Sequence, residues 1–142
     1  MIKTIAAAAI FAALTGCAPM QYSQALQNLN HTSVNDVGVY ASEIKDFLYS
    51  GRDEAEAIEL GKKAAADSLK DPGSAQFRNV RLQPHLQGAV VCGEINAKNS
   101  YGGYVGFTGF AAGIRGATLE DTSTHYPTVT AAANAGLNLA CR

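Results

Sequence analysis

The stretch Asp71-Pro72-Gly73-Ser74-Ala75-Gln76-Phe77 constrains the fold most, because the hydrophobic period changes across it. Before it, residues 53–69 carry a helical pattern. Ile58, Ala65 and Leu69, with Ala55 and Ala66 beside them, make one apolar stripe. Glu54, Glu56 and Glu59 crowd the N-terminal half and Lys62, Lys63 and Lys70 the C-terminal end, the polarity that a helix dipole favours. Ser50 and Asp53 form an S-x-x-D start signal, and Glu59 with Lys63 makes an i,i+4 pair. Pro72 disfavours helical backbone in Asp71, and Gly73 lets the chain reverse, so the helix stops there. Phe77 is then expected to enter a sheet and pack its ring on the Ile58/Leu69 stripe.

Beyond the break the period is two. Residues 77–82 and 88–97 predict strands, the second rich in β-branched residues. Residues 99–103, Asn-Ser-Tyr-Gly-Gly, supply a turn, and 104–111 return as a third strand. Residues 117–121 add a short edge. From 128 to 141, Val129, Ala132, Ala133, Leu137 and Ala140 fall at helical spacing. Gly136 weakens that closing helix by about 1 kcal/mol relative to Ala. The expected fold class is α+β: a helix, an antiparallel meander of three to four strands, and a C-terminal helix packed on one sheet face.

The N-terminus points to an address. Residues 1–17 read MIKTIAAAAIFAALTGC, with Lys3 as a short positive region and an uncharged apolar run over residues 5–14. That run is too short to span a bilayer, which needs about 20 residues, and suits a signal-peptide core. It ends in Leu14-Thr15-Gly16-Cys17, which resembles the bacterial lipobox. The resemblance implies removal of residues 1–16 and acylation of Cys17, whose thiol takes diacylglycerol. Several acyl chains give stable anchoring where one is marginal. Ala18 follows the cysteine, and similarity to the lipoprotein sorting rule of enteric bacteria then implies the outer membrane, facing the periplasm.

Residues 17–50 are expected to form the lipidated N-terminus and a tether, and residues 51–142 the globular domain. The stretch 21–35 is rich in Gln, Asn, Ser and Thr and has no formal charge, as flexible tethers do. The alternative is a short helix, since Tyr22, Leu26 and Leu29 recur at helical spacing. The chain of 142 residues carries 11 basic and 12 acidic side chains, for a net charge of −1. That balance argues against a nucleic-acid binder, which needs a basic face. Removing the first 16 residues leaves enough chain for one core.

With Cys17 committed to lipid, Cys92 and Cys141 remain, an even pair in a chain expected in an oxidising compartment, and are expected to form a disulfide. No His or further Cys sits at metal-ligand spacing, and no metal or other cofactor is expected.

Motifs for catalysis are missing: the sequence has no GxSxG, HExxH, P-loop or SxxK. His31, His85 and His125 are each isolated in polar, loop-like surroundings. The glycines at 102, 103, 106, 109, 113 and 116 lack the Lys-Ser/Thr and the helix start of a phosphate loop. Aromatics interleave with them instead, so Tyr101, Tyr104, Phe107 and Phe110 form a candidate binding strip for another chain or a glycan. The bland alternative is a twisted strand whose glycines permit close packing. Alternation along the second strand puts Cys92, Glu94, Asn96 and Lys98 on one side. That row is either a solvated sheet face or the wall of a site.

The residues DPGSAQFR at 71–78, VCGEINAKN at 91–99 and GGYVGF at 102–107 resemble a set of small uncharacterised proteins of bacteria and their phages, with a pattern of roughly DPxSAxFR, VCGxxNAKN and GGYxGF and often a late cysteine. The resemblance covers residues 60–110. It implies the fold and the disulfide; the family has no established activity, so the resemblance points to no particular function. The chain departs from the pattern after Phe110.

The expected function is therefore that of a cell-envelope lipoprotein: a non-enzymatic binding or structural module, held to the membrane through Cys17, with an envelope protein as its partner. One alternative is a small inhibitor-like lipoprotein acting on a cell-wall enzyme through a protruding loop at 99–103. Another is an enzyme of unrecognised type using Glu94, Lys98 and His125.

Overall fold

The computed structural model describes residues 18–142; the expected signal segment and Cys17 lie outside the described residues. The chain runs α1 (Ala18–Tyr49), α2 (Glu54–Asp67), a 3-10 turn (Pro72–Ser74), β1 (Gln76–His85), β2 (Gly88–Asn96), β3 (Thr108–Ala112), β4 (Ala117–Leu119), α3 (Pro127–Ala133) and α4 (Ala135–Cys141). The four strands form one antiparallel meander in the order β1-β2-β3-β4. This is the expected α+β class, with helices on both faces of the sheet.

Two clusters of buried side chains lie on opposite sides of β2. On one side Val91, Ile95, Phe110 and Ala112 meet Ala65 of α2 and Ile44 of α1, with Phe77, Ile58 and Leu69 packed against them. On the other, Val90, Cys92 and Ala111 meet Leu137 and Ala140 of α4 and Val37 and Ala41 of α1. The buried positions of α2 are Ala57, Gly61, Ala64 and Ala65. The helix therefore approaches the sheet on its smallest residues, and Ile58 and Leu69 only flank the contact. Asp53 caps α2 by accepting from the Glu56 amide at 2.7 Å, whereas Ser50 bonds back to the Phe47 carbonyl and closes α1. Lys62 pairs with Glu59 and Lys63 with Asp67, in place of the expected Glu59–Lys63 pair.

The expected tether over residues 21–35 is helical, and the expected boundary at residue 51 falls inside the folded unit. Helix α1 has 32 residues, and Val37, Ala41 and Ile44 are core residues. The helix lies against the hairpin ends of the sheet. A Cβ on Gly88 would overlap the Ala41 carbonyl, and one on Gly136 would overlap that of Ser33, so these glycines set how closely α1 packs on β2 and α4. Buried Ser33 donates to the Ala133 carbonyl at 2.6 Å and accepts from the Gly136 amide at 3.0 Å. Glu43 accepts from the Ile114 and Arg115 amides and from the Arg115 guanidinium, which clamps the β3–β4 turn to α1. The single C-terminal helix expected over residues 128–141 is two helices. Asn134 divides them and turns its amide onto the backbone of Asp121, donating to the carbonyl and accepting from the amide, both at 2.8 Å.

Candidate functional site

Three features of the folded chain bear on function: a polar cleft beside the disulfide, the aromatic strip, and the loop at 97–107.

The cleft lies where α4 leaves the Cys92 face of the sheet uncovered. Its volume is about 410 Å³, and its lining includes Asn79, Arg81, Glu94, Phe107, Glu120 and Arg142. Register explains the grouping. Arg78 stands opposite Glu94 across β1 and β2, and a bulge between Arg78 and Arg81 turns Asn79 to φ 53. That left-handed backbone is tolerated by asparagine more readily than by most residues. Arg78 donates to both Glu94 carboxylate oxygens at 2.9 and 2.7 Å, and the Asn79 amide adds a third bond at 2.8 Å. The Arg78 guanidinium lies 4.0 Å from the Phe107 ring centroid. Arg142 pairs with Glu120, and Arg81 donates to the Cys141 carbonyl. Both carboxylates of this cleft are thus paired with arginines, and Arg81 ties the sheet edge to the end of α4 through the Cys141 carbonyl.

The hydrogen bonds from Arg78, then Asn79, hold the Glu94 carboxyl below the usual carboxylate range. A depressed folded pKa stabilises the fold above the unfolded value of about 4.3 and loses that contribution as pH falls through the folded value. Glu94→Gln is therefore expected to lower stability at pH 7 and to flatten the loss of stability below about pH 4. Thermal melts between pH 2 and 7 check this; an unchanged acid limb contradicts it.

The cleft that Glu94 lines is lined by neither Lys98 nor His125. Lys98 lies over the Tyr104 ring, and His125 is exposed in the segment before α3. The three residues weighed as an enzymatic set are thus not gathered in that cleft. His31 bonds Asn35 along α1, and His85 ends β1.

The aromatic strip does not form one surface. Tyr101 is 97% exposed and Tyr104 45% exposed, whereas Phe110 is 0% exposed. Phe110 packs edge-on against Phe77, with ring centroids 5.8 Å apart, and belongs to the core. Phe107 is half-buried under Arg78. The strip divides because β3 begins at Thr108, four residues later than expected. Gly106 takes φ 105 and donates its amide to the Asn96 side chain, so the chain leaves strand geometry there.

The remaining exposed part is a loop ordered by two asparagine side chains. Asn99 accepts from the Tyr101 and Gly103 amides at 2.9 and 3.2 Å, and its own amide donates to the Gly103 carbonyl at 2.8 Å. An isolated bridge joins Lys98 to Tyr104. Ser74 accepts from the Lys98 amide at 3.0 Å, and Lys70 reaches the Ser100 hydroxyl at 3.2 Å. Tyr101, Tyr104 and Val105, which is 70% exposed, are therefore presented on a fixed frame. The sequence reading missed Lys70 and Val105 here, and Arg78, Arg81, Glu120 and Arg142 in the cleft. The DP break was a signal that could have found Lys70; Arg78 needed the register of β1 against β2.

The disulfide joins Cys92, at the centre of β2, to Cys141, at the end of α4, with Cα atoms 5.6 Å apart. Among the described residues no cluster of His, Cys, Asp or Glu is arranged to hold a metal ion, and no helix is long and apolar enough to cross a membrane. The chain matches no protein-family model, no curated protein and no solved structure.

Proposed function

We propose that the chain is a cell-envelope lipoprotein, anchored through acyl groups on Cys17, whose folded domain is a non-enzymatic binding module facing the periplasm from the outer membrane. The observation that carries this reading is the ten-residue apolar run over positions 5–14 that ends in Leu14-Thr15-Gly16-Cys17. The disulfide suits an exported chain. Helix α1 is described from Ala18 onward. At 1.5 Å per residue it carries the chain about 22 Å from Ala18 to Ser33, and its Tyr22 hydroxyl bonds Thr128 of α3, so this stretch is helical and packed where a slack tether was expected.

A second reading, an inhibitor-like lipoprotein acting on a cell-wall enzyme, is favoured by the ordered loop around Asn99, since a blocking loop gains from being fixed before it binds. Both readings share the anchor. Cell fractionation tests it: the wild-type chain is expected in the membrane pellet, and Cys17→Ala is expected to leave it. A Cys17→Ala chain that stays membrane-bound contradicts the anchor.

A further inference from the structure

We propose that the 97–107 loop is a docking surface for an acidic, partly apolar segment of a protein partner, with Tyr101, Tyr104 and Val105 as the apolar contacts and Lys70 and Lys98 as the charged ones. The proposal rests on the reading of the domain as a binding module and names the chemistry of its partner.

Charge pairing is the first argument. Elsewhere on the surface Arg52, Lys62, Lys63, Arg78, Arg115 and Arg142 are each matched to a carboxylate. Lys70 and Lys98 are in none of these ion pairs; Lys45 and Arg81 are not either, but Lys45 lies beside Gly88 and Arg81 donates to the Cys141 carbonyl, whereas Lys70 and Lys98 meet at one loop. Lys70 bonds a hydroxyl of the loop, and Lys98 lies 5.7 Å from the Tyr104 ring centroid. Glu94, the one carboxylate of β2, is neutralised by Arg78. Asp71 follows Lys70 in the chain, but its carboxylate lies over the 3-10 turn, 3.6 Å from where a Gly73 Cβ would stand. Two lysines thus stand against the one Asp71 carboxylate, and a chain of net charge −1 carries a small local excess of positive charge at this loop. Complementary charge steers encounter and disfavours wrong partners.

The exposed rings are the second argument. Tyr101 is 97% exposed on a loop whose backbone amides donate to the Asn96 and Asn99 side chains. Tyrosine supplies a large amphipathic contact with few rotatable bonds, and a fixed frame removes much of the ordering cost of binding. The lysines select acid, and the rings and Val105 select apolar neighbours among the acids.

The test is biolayer interferometry on the full chain in detergent micelles, with a twelve-residue peptide of alternating Glu and Leu and a Lys/Leu control. The Glu/Leu peptide is expected to bind and the control not to. Tyr101→Ala and the pair Lys70→Glu/Lys98→Glu should each weaken binding at least tenfold, while Lys98→Arg retains it. Unchanged melting temperatures would show that these exposed variants stay folded. Equal binding by wild type and variants, or no binding of the Glu/Leu peptide, overturns the proposal. So does preferential binding of phosphatidylglycerol vesicles or polyglucuronate through the same residues, which would make the partner a lipid surface or a glycan. Loss of peptide binding with acylation intact leaves the anchor standing, so the two readings fail separately.

Discussion

Replacing Phe110 with alanine is expected to cost about 3–5 kcal/mol of folding stability, the range for truncating a buried aromatic ring. Phe110 is 0% exposed and sits between Val91, Ile95 and Ala112 of the sheet and Ala65 of α2. Its edge-on contact with Phe77 is lost as well. The residues around it belong to three elements held by a meander, which limits how far they can close the space. The melting temperature should fall by on the order of 10–20 °C. A melt within a few degrees of wild type would mean that the ring does not belong to the core and would restore it to the binding strip.

Removing the disulfide is the second large effect. The cysteines are 49 residues apart in sequence, and in the chain-entropy model closing such a loop contributes roughly 4 kcal/mol. The bond also fastens a helix of seven residues, far shorter than isolated helices that persist in water. Cys92→Ala/Cys141→Ala is therefore expected to unfold at markedly lower denaturant concentration, and reduction of the wild type should act in the same direction. Urea titration of oxidised, reduced and double-alanine chains checks this. Three coincident curves would contradict it.

Much of the fold was legible because helical and strand periods meet at Pro72-Gly73. The Lys/Glu polarity of α2, the β-branched run of β2 and the Gly-rich return all mark their elements directly. Helix α1 was legible only as the alternative to a tether, through Tyr22, Leu26 and Leu29, for a definite reason. Its inward positions include Ser33, which breaks the apolar stripe and makes residues 21–35 look like a solvated tether. The hydroxyl is satisfied only through Ala133 and Gly136, a hundred residues away in sequence. Asn134 hid the break in the last helix in the same way, since its partner is the backbone of Asp121. The β1–β2 turn escaped because Leu86, not Gly or Asn, takes the left-handed backbone at φ 54.

The candidate site was legible in part. The loop at 99–103 followed from its turn residues, and Tyr101 and Tyr104 are exposed as a strip requires. Phe107 and Phe110 were grouped with them because alternation was carried through Gly106, where the strand geometry does not hold. Arg78 and Glu94 could be joined only once the register of β1 against β2 was known.

The most direct test of the account is the mass of the N-terminal fragment of the protein purified from membranes. The account predicts a fragment that begins at Cys17 and carries diacylglycerol, with or without an amide-linked acyl chain. An unmodified Cys17, or a mature chain that begins at any other residue, would contradict it.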